Sequence, residues 1–296
     1  MQNYSRNVLR WIGQGLVIPE DCFVFVTGGA PVGGVCFCDD TGESRDILDY
    51  AISDAKAGDS AEALQRAVLM AAKEDTRSVT YNLYDDTEQY RDIQELFKLA
   101  GFTIAQKKSS YTYERAEPPK SIGELTFLNA NELTFRSANE LTFRSVMETG
   151  EDAFIGAVRD VTVGTLDKLM ADEAARLGGD RAAREYVETL KEIDFDPDWW
   201  RLGYSDGRLV GLILPQKLGD AIGGINYVGV LPQFRGNGYG ATLLAEGVRI
   251  LHENGIRKIY ADIDVHNFPL ASALELVGFT YATEESVLIY ERRSRC

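Results

Sequence analysis

The sequence predicts an α/β (α+β) protein in two related parts, and three observations lead to this prediction. The chain has 296 residues, and at about 150 residues per domain two domains are expected. A short polar stretch at 115–120 with paired prolines follows a strand-like segment and is typical of a linker. The order helix, strand, helix, Gly-Phe occurs in each half, ending at Gly101-Phe102 and Gly278-Phe279. We therefore predict domains at residues 1–117 and 118–296.

Alternating apolar residues and apolar stripes define the elements of the N-terminal half. We predict strands at 23–26, 35–38, 46–52 and 78–83, and helices at 61–73 and 90–100. The first helix carries Leu64, Val68 and Ala72 on one face, as an amphipathic helix requires. The glycine-rich segment 28–34 is predicted to be a hairpin loop, because glycine and proline favour turns.

The C-terminal half alternates helices and strands in the same way. Two helical segments within 166–193 are separated at Gly178-Gly179, and Asp206-Gly207 is a residue pair that tight hairpins prefer. Leu244, Val248 and Leu251 follow the spacing of a long amphipathic helix. We predict strands at 199–205, 209–215, 222–230, 258–265 and 287–291, and helices at 238–254 and 269–277.

An octapeptide beginning Glu-Leu-Thr-Phe occurs three times in succession, at 124–131, 132–139 and 140–147. Its units are far shorter than those of solenoids, which have about 20–50 residues. An even period keeps each side chain on its own face of a strand, so a slip by one unit leaves the core face inside. We interpret the repeat as a tandem duplication of one edge strand, natural or introduced in cloning. A single copy is expected to occupy the native position.

The chain is strongly acidic: 31 Lys and Arg against 46 Asp and Glu give a net charge of −15. Such a surface repels phosphate groups, which disfavours nucleic acids and anionic membranes as partners. It favours a cationic small molecule or a basic peptide. Because the sequence shows neither a signal-peptide core nor an apolar run that could span a bilayer, we expect a soluble cytoplasmic protein.

Cysteine and histidine are scarce, which bears on redox and metal chemistry. The four cysteines are Cys22, Cys36, Cys38 and Cys296. They are too few for a disulfide scaffold, and with two histidines in the chain we expect no metal site. Buried free cysteines behave as small apolar residues. We therefore expect reduced thiols, with Cys36 and Cys38 on one face of a strand.

The stretch Arg235-Gly-Asn-Gly-Tyr-Gly240 lies between a predicted strand and a predicted long helix. Glycines let several backbone N–H groups converge without obstruction by Cβ, and the start of a helix adds unpaired N–H groups and a partial positive charge. Together they form an anion site suited to a phosphate or pyrophosphate, with Arg235 as a nearby positive charge. The stretch lacks the end of a Walker loop and the spacing of a dinucleotide fingerprint.

This stretch resembles the Arg/Gln-x-x-Gly-x-Gly/Ala pyrophosphate loop of the GCN5-related N-acetyltransferase (GNAT) superfamily. The segment from Asn267 to Gly278-Phe279 is similar to the family's second signature. The resemblance covers residues 140–296 well and 1–116 weakly. It implies two GNAT-like domains, each a mixed, mostly antiparallel sheet flanked by helices. The N-terminal domain is expected to be degenerate, because its segment 53–59 has one glycine and two acids that would repel a pyrophosphate.

The resemblance also implies that acetyl-CoA is a co-substrate, and that its acetyl group passes to a primary amine by direct attack in a ternary complex. The pantetheine would pair with the strand at Val228 and Val230, where the family's two central strands part. Asn267 is expected to contact the cofactor, to cap the following helix, or both. The pyrophosphate would bind the backbone of Arg235, Gly236, Asn237, Gly238, Tyr239 and Gly240.

Two departures from the family pattern leave the proton-transfer groups open. The tyrosine that many members carry seven residues after the asparagine is Leu274 here, which leaves water or Tyr281 as the proton source. The strand at 222–230 has no glutamate to act as base. Asp264 and Asp262 share a face of the next strand, and either is a candidate base, directly or through a water, or an anchor for a cationic substrate.

The sequence therefore predicts an N-acetyltransferase that acts on a small-molecule or peptide amine. The alternative is a non-catalytic CoA-binding or regulatory module, because two expected catalytic groups are absent. Polyamines, aminoglycosides, amino acids and protein N-termini stay open as acceptors, and a homodimer stays open as the assembly.

Overall fold

The computed structural model describes residues 2–15, 17–39, 44–52, 57–73, 76–119, 127–129, 132–136 and 141–292. The chain divides into two compact units, one of residues 1–107 with 284–296 and one of residues 108–283. These units do not test the predicted division at 117/118, which stays a prediction. Cys296 and part of the segment 53–59 lie outside the described residues.

Within the described residues, the first unit contains a sheet and three α-helices. Its elements are α1 (Gln2–Gly13), β1 (Cys22–Thr27), β2 (Ala30–Asp39), β3 (Ser44–Ile52), α2 (Ala57–Ala71), β4 (Ser78–Tyr84) and α3 (Tyr90–Leu99). The strand order is β1-β2-β3-β4. Beyond β4, the unit is completed by residues 285–291 of the last strand, which pair antiparallel with β4.

The second unit is a sheet with helices on both faces. Its elements begin with β5 (Thr103–Tyr113), of which residues 108–113 belong to this unit. They continue with β6 (Phe127–Asn129), β7 (Glu132–Arg136), β8 (Thr142–Ser145), α4 (Val146–Thr149), α5 (Glu151–Thr162), α6 (Lys168–Leu177), α7 (Gly179–Lys191), β9 (Arg201–Ser205), β10 (Arg208–Lys217), β11 (Ile222–Val230), α8 (Tyr239–Glu253), β12 (Lys258–Asp264), α9 (Phe268–Val277) and β13 (Thr280–Glu291). The sheet order is β5-β12-β11-β10-β9-β8.

Two apolar cores cover the two faces of this second sheet. Leu244, Val248 and Leu251 of α8 pack with Ile259 and Ile263 of β12 on one face. On the other face, residues of α5 and α7 pack with residues of β9 and β10. The apolar stripe predicted for the helix at 238–254 therefore packs into the core, as expected for an amphipathic helix.

The three octapeptide copies form strands in two different sheets. The third supplies the edge strand β8, which pairs antiparallel with β9. The described parts of the first two copies, β6 and β7, pair with each other as a separate two-stranded sheet. The third copy thus lies at the edge of the second sheet, and the interpretation of the repeat as a duplication stays a prediction.

Most predicted elements are present, and the hairpin predicted at 28–34 is present with a shorter turn than expected. The turn is Gly28-Gly29 alone, and both residues have positive φ, while β2 begins at Ala30. Gly33 and Gly34 therefore lie within β2, at positions where the rings of Phe25 and Tyr4 leave no room for a Cβ atom. The helices α1 and α5 were not predicted, and β13 begins well before residue 287.

Candidate functional site

The parallel strands β11 and β12 are paired at one end and part at the other. Their pairing runs from Ile222–Lys258 to Gly224–Tyr260. Beyond these residues, the described partners of β11 are on β10 and those of β12 are on β5. The space between residues 225–230 and 261–264, here called the strand gap, is therefore bordered by main-chain edges without a strand partner among the described residues. An extended ligand could bind there as an added strand.

A bulge on β11 lies where the strands part. Leu214 faces Tyr227 and Pro215 faces Ile225, so Asn226 is the extra residue. Its amide donates to Oε1 of the buried Gln216, and the Gln216 amide donates to the carbonyl oxygens of Leu190 and Ile193 at 2.5 and 2.9 Å. This buried polar chain fixes the bulge to the C-terminal end of α7. Bulges bend a strand and redirect its side chains, which is consistent with the parting of β11 from β12.

The glycine-rich stretch forms a turn that leads directly into α8. Gly236 and Gly238 have φ of 76° and 82°, which side chains larger than hydrogen strongly disfavour. An added Cβ at Gly236 or Gly240 would meet no atom within 4 Å, so the turn faces open space. The first N–H groups of an α-helix generally lack an i−4 acceptor; in α8 the Ala241 N–H donates to the Gly238 oxygen at 3.2 Å. These features fit the predicted pyrophosphate site, which would use backbone groups because the Tyr239 side chain is buried.

Arg235 holds this turn to the end of α5. Its Nε donates to the Val230 oxygen at 3.0 Å, and its Nη atoms donate to the oxygens of Val161, Val163 and Gly164 at 2.8 to 2.9 Å. These three carbonyls lie at the C-terminal end of α5, where the helix carries a partial negative charge. The guanidinium therefore has a structural role that the sequence did not reveal, and contact with the pyrophosphate stays a prediction.

Asn267 caps α9, one of its two predicted roles. Its Oδ1 accepts from the Leu270 N–H at 3.3 Å, and cofactor contact stays a prediction.

Leu274, where many members have a tyrosine, is completely buried in the core beside α8. Tyr281 on β13 is 53% exposed, and its ring contacts the edge of Tyr111 at 5.9 Å between centroids.

The two candidate carboxylates share a face of β12 but differ in environment. Ile259 and Ile263 point into the core with α8 and α9, so the alternate residues Asp262 and Asp264 point to the opposite face. Asp264 is buried, and its Oδ1 accepts from the His266 N–H at 2.9 Å and lies 3.1 Å from His266 Nδ1. Asp262 is exposed, and its carboxylate makes no hydrogen bond or ion pair with another residue in the described part of the chain.

The strand β5 adds polar residues to this face. Its register places Ser110 opposite Asp262 and Lys108 opposite Asp264. Directly opposed residues of antiparallel strands project from the same face. A cationic residue therefore lies next to Asp264, in a strand from the N-terminal half of the chain.

Two tyrosines pack against each other next to the bulge. Tyr227 was expected only as part of the strand that pairs with the pantetheine, and Tyr186 was given no role. Tyr227 Oη is 3.0 Å from Thr162 Oγ1, Tyr186 Oη donates to the Asn226 oxygen at 3.0 Å, and the two rings are 5.3 Å apart. Burial raises the pKa of Tyr227 to about 12 and also raises the pKa of Tyr186. Both phenols are therefore neutral near pH 7. Tyr186 is the single aromatic residue in α7. This was the feature of the sequence that could have drawn attention to it.

The first unit has similarly parted strands, but an aromatic ring there contacts side chains of both strands. β3 and β4 pair in parallel only from Ser44–Ser78 to Asp46–Thr80. The Phe97 ring contacts Tyr50 of β3 at 5.2 Å and stacks on Tyr81 of β4 at 4.6 Å. Counted from the first paired residue of each strand, the equivalent positions in the second unit are Val228 and Ala261. The smaller side chains there leave the strand gap free of such a stack.

Two further observations concern the described residues. No helix among them is both long and apolar enough to cross a membrane. No cluster of three or more His, Cys, Asp or Glu side chains within the described ranges is placed to hold a metal ion.

Comparison with known proteins agrees with this architecture. Residues 166–279 match the model of the acetyltransferase (GNAT) family. A mycothiol acetyltransferase of Streptomyces bingchenggensis is 31% identical over 132 residues, which are 40% of this chain and 42% of the relative. The match thus spans about two fifths of the length of that curated relative.

Solved structures show the same fold over nearly the whole chain. The GCN5-related N-acetyltransferase from Sphaerobacter thermophilus has a TM-score of 0.63 at 17% identity, covering 97% of this chain and 85% of that one. A tandem GNAT protein from the clavulanic acid biosynthesis pathway has a TM-score of 0.53 at 15% identity, covering 94% and 86%.

The parted central strands, the bulge and the glycine turn before α8 define an α/β fold of the acetyltransferase type. Residues 166–279 match the acetyltransferase (GNAT) family, and the chain shares its fold with solved GNAT proteins, one of them a tandem GNAT protein.

Proposed function

We propose that the chain is an acetyl-CoA-dependent N-acetyltransferase whose reaction takes place in the second unit. The observation that carries this proposal is the parting of β11 and β12 directly beside the glycine turn that opens α8. This arrangement offers an anion site and an extended main-chain edge next to each other. A ligand with a pyrophosphate followed by an amide-bearing arm has groups for both.

The main chain would do most of the binding. N–H groups of residues 236–240 would hold the pyrophosphate at the start of α8. Edge groups of Val228 and Val230 would pair with the pantetheine amides, and an N–H of this edge would polarise the thioester carbonyl. Arg235 would act by keeping the turn in place. The family as a whole uses acetyl-CoA, which supports this assignment.

The proposed chemistry is direct transfer. The amine nitrogen forms a bond to the acetyl carbonyl carbon, the carbon–sulfur bond breaks, and the amine loses one proton. Asp262 would accept that proton, directly or through a water, because its carboxylate is exposed and unengaged among the described residues. Asp264 would instead shape the end of β12 through His266. The CoA thiolate leaves without a required side-chain acid, since thiols ionise near pH 8.5, and Tyr281 stays a second candidate donor.

The acceptor is proposed to be a primary amine, with a preference for cationic molecules. The carboxylate of Asp262 and the net charge of −15 favour an ammonium group near the site. The matched relatives are named mycothiol acetyltransferases, so a mycothiol-related amine belongs in any substrate panel.

The first test measures acetyl-CoA binding by calorimetry on the full chain. Gly238→Val should abolish binding, because a β-branched residue strongly disfavours φ of 82° and would change the direction of the N–H groups in the turn. Gly255→Val is the matched control: Gly255 follows the other end of α8 with φ of 85° and open space around it. It should lower stability to a similar degree and leave affinity unchanged. Failure of the wild type to bind acetyl-CoA would overturn the proposal.

The second test measures CoA release with a thiol reagent over a panel of polyamines, aminoglycosides, amino acids, peptide N-termini and a mycothiol-related amine. Release that depends on one amine class would identify the acceptor.

A second candidate function is a CoA-binding module without catalysis. It is favoured by Leu274, a buried apolar residue at the position where many family members have a tyrosine. That function predicts acetyl-CoA binding with no amine-dependent CoA release. Any amine that produces such release excludes it.

A further inference from the structure

Cys22 and Cys36 face each other across the β1–β2 hairpin in the first unit. They are direct partners in the strand register, and their sulfur atoms are 3.0 Å apart. Cys38 lies on the same side of β2, and all three thiols lie in a small cluster with residues of α1. Tyr4 of α1 covers this region, with its hydroxyl donating to the Phe23 oxygen at 3.1 Å.

The backbone geometry favours one pairing among these thiols. Directly opposed residues of antiparallel strands have Cα atoms about 4.5–5.5 Å apart, which lies within the range of disulfides, about 4.4–6.8 Å. Cys36 and Cys38 are two residues apart on one strand, which at about 3.3 Å per residue places their Cα atoms near the upper limit of that range. A Cys22–Cys36 bond therefore needs little movement, and a Cys36–Cys38 bond would strain the strand.

We propose that Cys22 and Cys36 form a reversible disulfide when the folded protein meets a low-molecular-weight disulfide. The Cys22 thiolate attacks one sulfur of that reagent, forms a mixed disulfide and releases the first small thiol. The Cys36 thiolate then attacks the Cys22 sulfur and releases the second. The two protein thiols lose two electrons and two protons in total, and the reagent is reduced to two thiols.

Exposure sets the order of these steps. Cys22 is half-buried, whereas Cys36 is fully buried. Burial, with neighbouring Cys22, Cys38 and Asp49, raises the pKa of the Cys36 thiol. The first attack therefore belongs to Cys22, and Cys36 is the resolving residue.

The test uses oxidised glutathione on the full chain in a Cys296→Ser background, which removes the thiol outside the described residues. After reaction in native buffer, free thiols are alkylated and the protein is analysed by intact mass and peptide mapping. We expect a loss of two hydrogen atoms, one cross-link between Cys22 and Cys36, and reversal by dithiothreitol. The oxidised form should also melt at a higher temperature, because the bond constrains the unfolded chain.

The variants separate the pairings. Cys22→Ser and Cys36→Ser should abolish the cross-link and the shift in melting temperature, whereas Cys38→Ser, the matched control, should keep both. A cross-link to Cys38, a glutathione adduct that never resolves, or reaction only in denaturant would overturn the proposal.

Discussion

Arg235 and Val161 are joined by a hydrogen bond of 2.8 Å from the guanidinium to the main-chain oxygen. The same guanidinium also reaches Val163 and Gly164. One side chain therefore ties the glycine turn before α8 to the C-terminal end of α5, next to the strand gap. The sequence suggested that the guanidinium of Arg235 contacts a cofactor phosphate. In the structure, this guanidinium donates its hydrogen bonds to main-chain oxygens of the protein.

Replacing Arg235 with Ala should weaken both the fold and the cofactor site. The variant leaves the α5 carbonyls without their donor and frees the turn. Because these bonds are partly exposed, we expect a loss of about 1–2 kcal/mol in the free energy of unfolding. Acetyl-CoA affinity should fall in calorimetry. Arg235→Lys should recover only part of both, since one ammonium cannot reproduce the planar set of donors. Unchanged melting in Arg235→Ala would contradict the structural role.

Gly229 approaches α5 so closely that it has no room for a side chain. An added Cβ would lie 2.6 Å from Val161 Cγ2, a distance that requires movement of the helix or the strand. Gly229→Ala should therefore lower the free energy of unfolding by about 1–3 kcal/mol, as overpacking does. Chemical denaturation followed by fluorescence measures this loss.

The double variant Gly229→Ala/Val161→Ala identifies the cause. Removing the valine methyl groups makes space for the new Cβ, so the double variant should be more stable than the sum of the single effects predicts. Simple additivity would show that this contact is not the source of the loss.

Sequence patterns predicted the local elements well. Asp206-Gly207 forms the expected hairpin turn with positive φ at both residues, and β11 has its predicted bounds. The parting of the central strands was expected from the family resemblance and is present. The α5 helix was missed although Phe154, Val158 and Val161 have helical spacing and are buried. Its signal was therefore in the sequence.

Other features depend on partners far apart in the chain, and no local pattern specifies them. Residues 108–113 complete the second sheet beside β12, and residues 285–291 pair with β4 in the first. Alternation shows that each is a strand but not which strand it pairs with. In the same way, the sequence shows that Arg235 is charged, but only the fold shows that carbonyls of α5 accept its hydrogen bonds.

We expect each chain to bind a single acetyl-CoA. In the first unit the Phe97 ring contacts both Tyr50 and Tyr81 where the strands part, whereas the equivalent residues of the second unit, Val228 and Ala261, carry no aromatic ring. Calorimetry should give a stoichiometry of one per chain, and Gly238→Val should abolish all binding. Two equivalents, or one that survives Gly238→Val, would show that the first unit also binds the cofactor.

Asp262 and Asp264 should respond differently to amide substitution. If Asp262 accepts the amine proton, Asp262→Asn should lower kcat/KM by about a hundredfold or more and leave acetyl-CoA affinity unchanged. Asp264→Asn keeps an oxygen that can accept from the His266 N–H and should have a smaller effect. Steady-state kinetics across pH measures both. Full activity in Asp262→Asn, with an unchanged pH profile, would remove Asp262 from the mechanism.

Asp46 should make the stability of the first unit depend on pH. Burial raises the pKa of its carboxyl, although the Thr80 hydroxyl that donates to it acts in the opposite direction. A folded-state pKa above the unfolded value, about 3.9, means that the folded state holds the proton more tightly. The contribution of Asp46 to stability is therefore complete below pH of about 4 and is lost as pH rises through the folded-state pKa.

Asp46→Asn removes this titration while keeping an oxygen that can accept from Thr80. Between pH of about 4 and 7, the urea midpoint of the variant should fall less than that of the wild type. Asp49, whose pKa burial also raises, titrates in the same direction, so Asp46→Asn/Asp49→Asn should flatten the profile further. Parallel profiles for the wild type and both variants would mean that neither carboxyl is harder to ionise in the folded protein than in the unfolded chain.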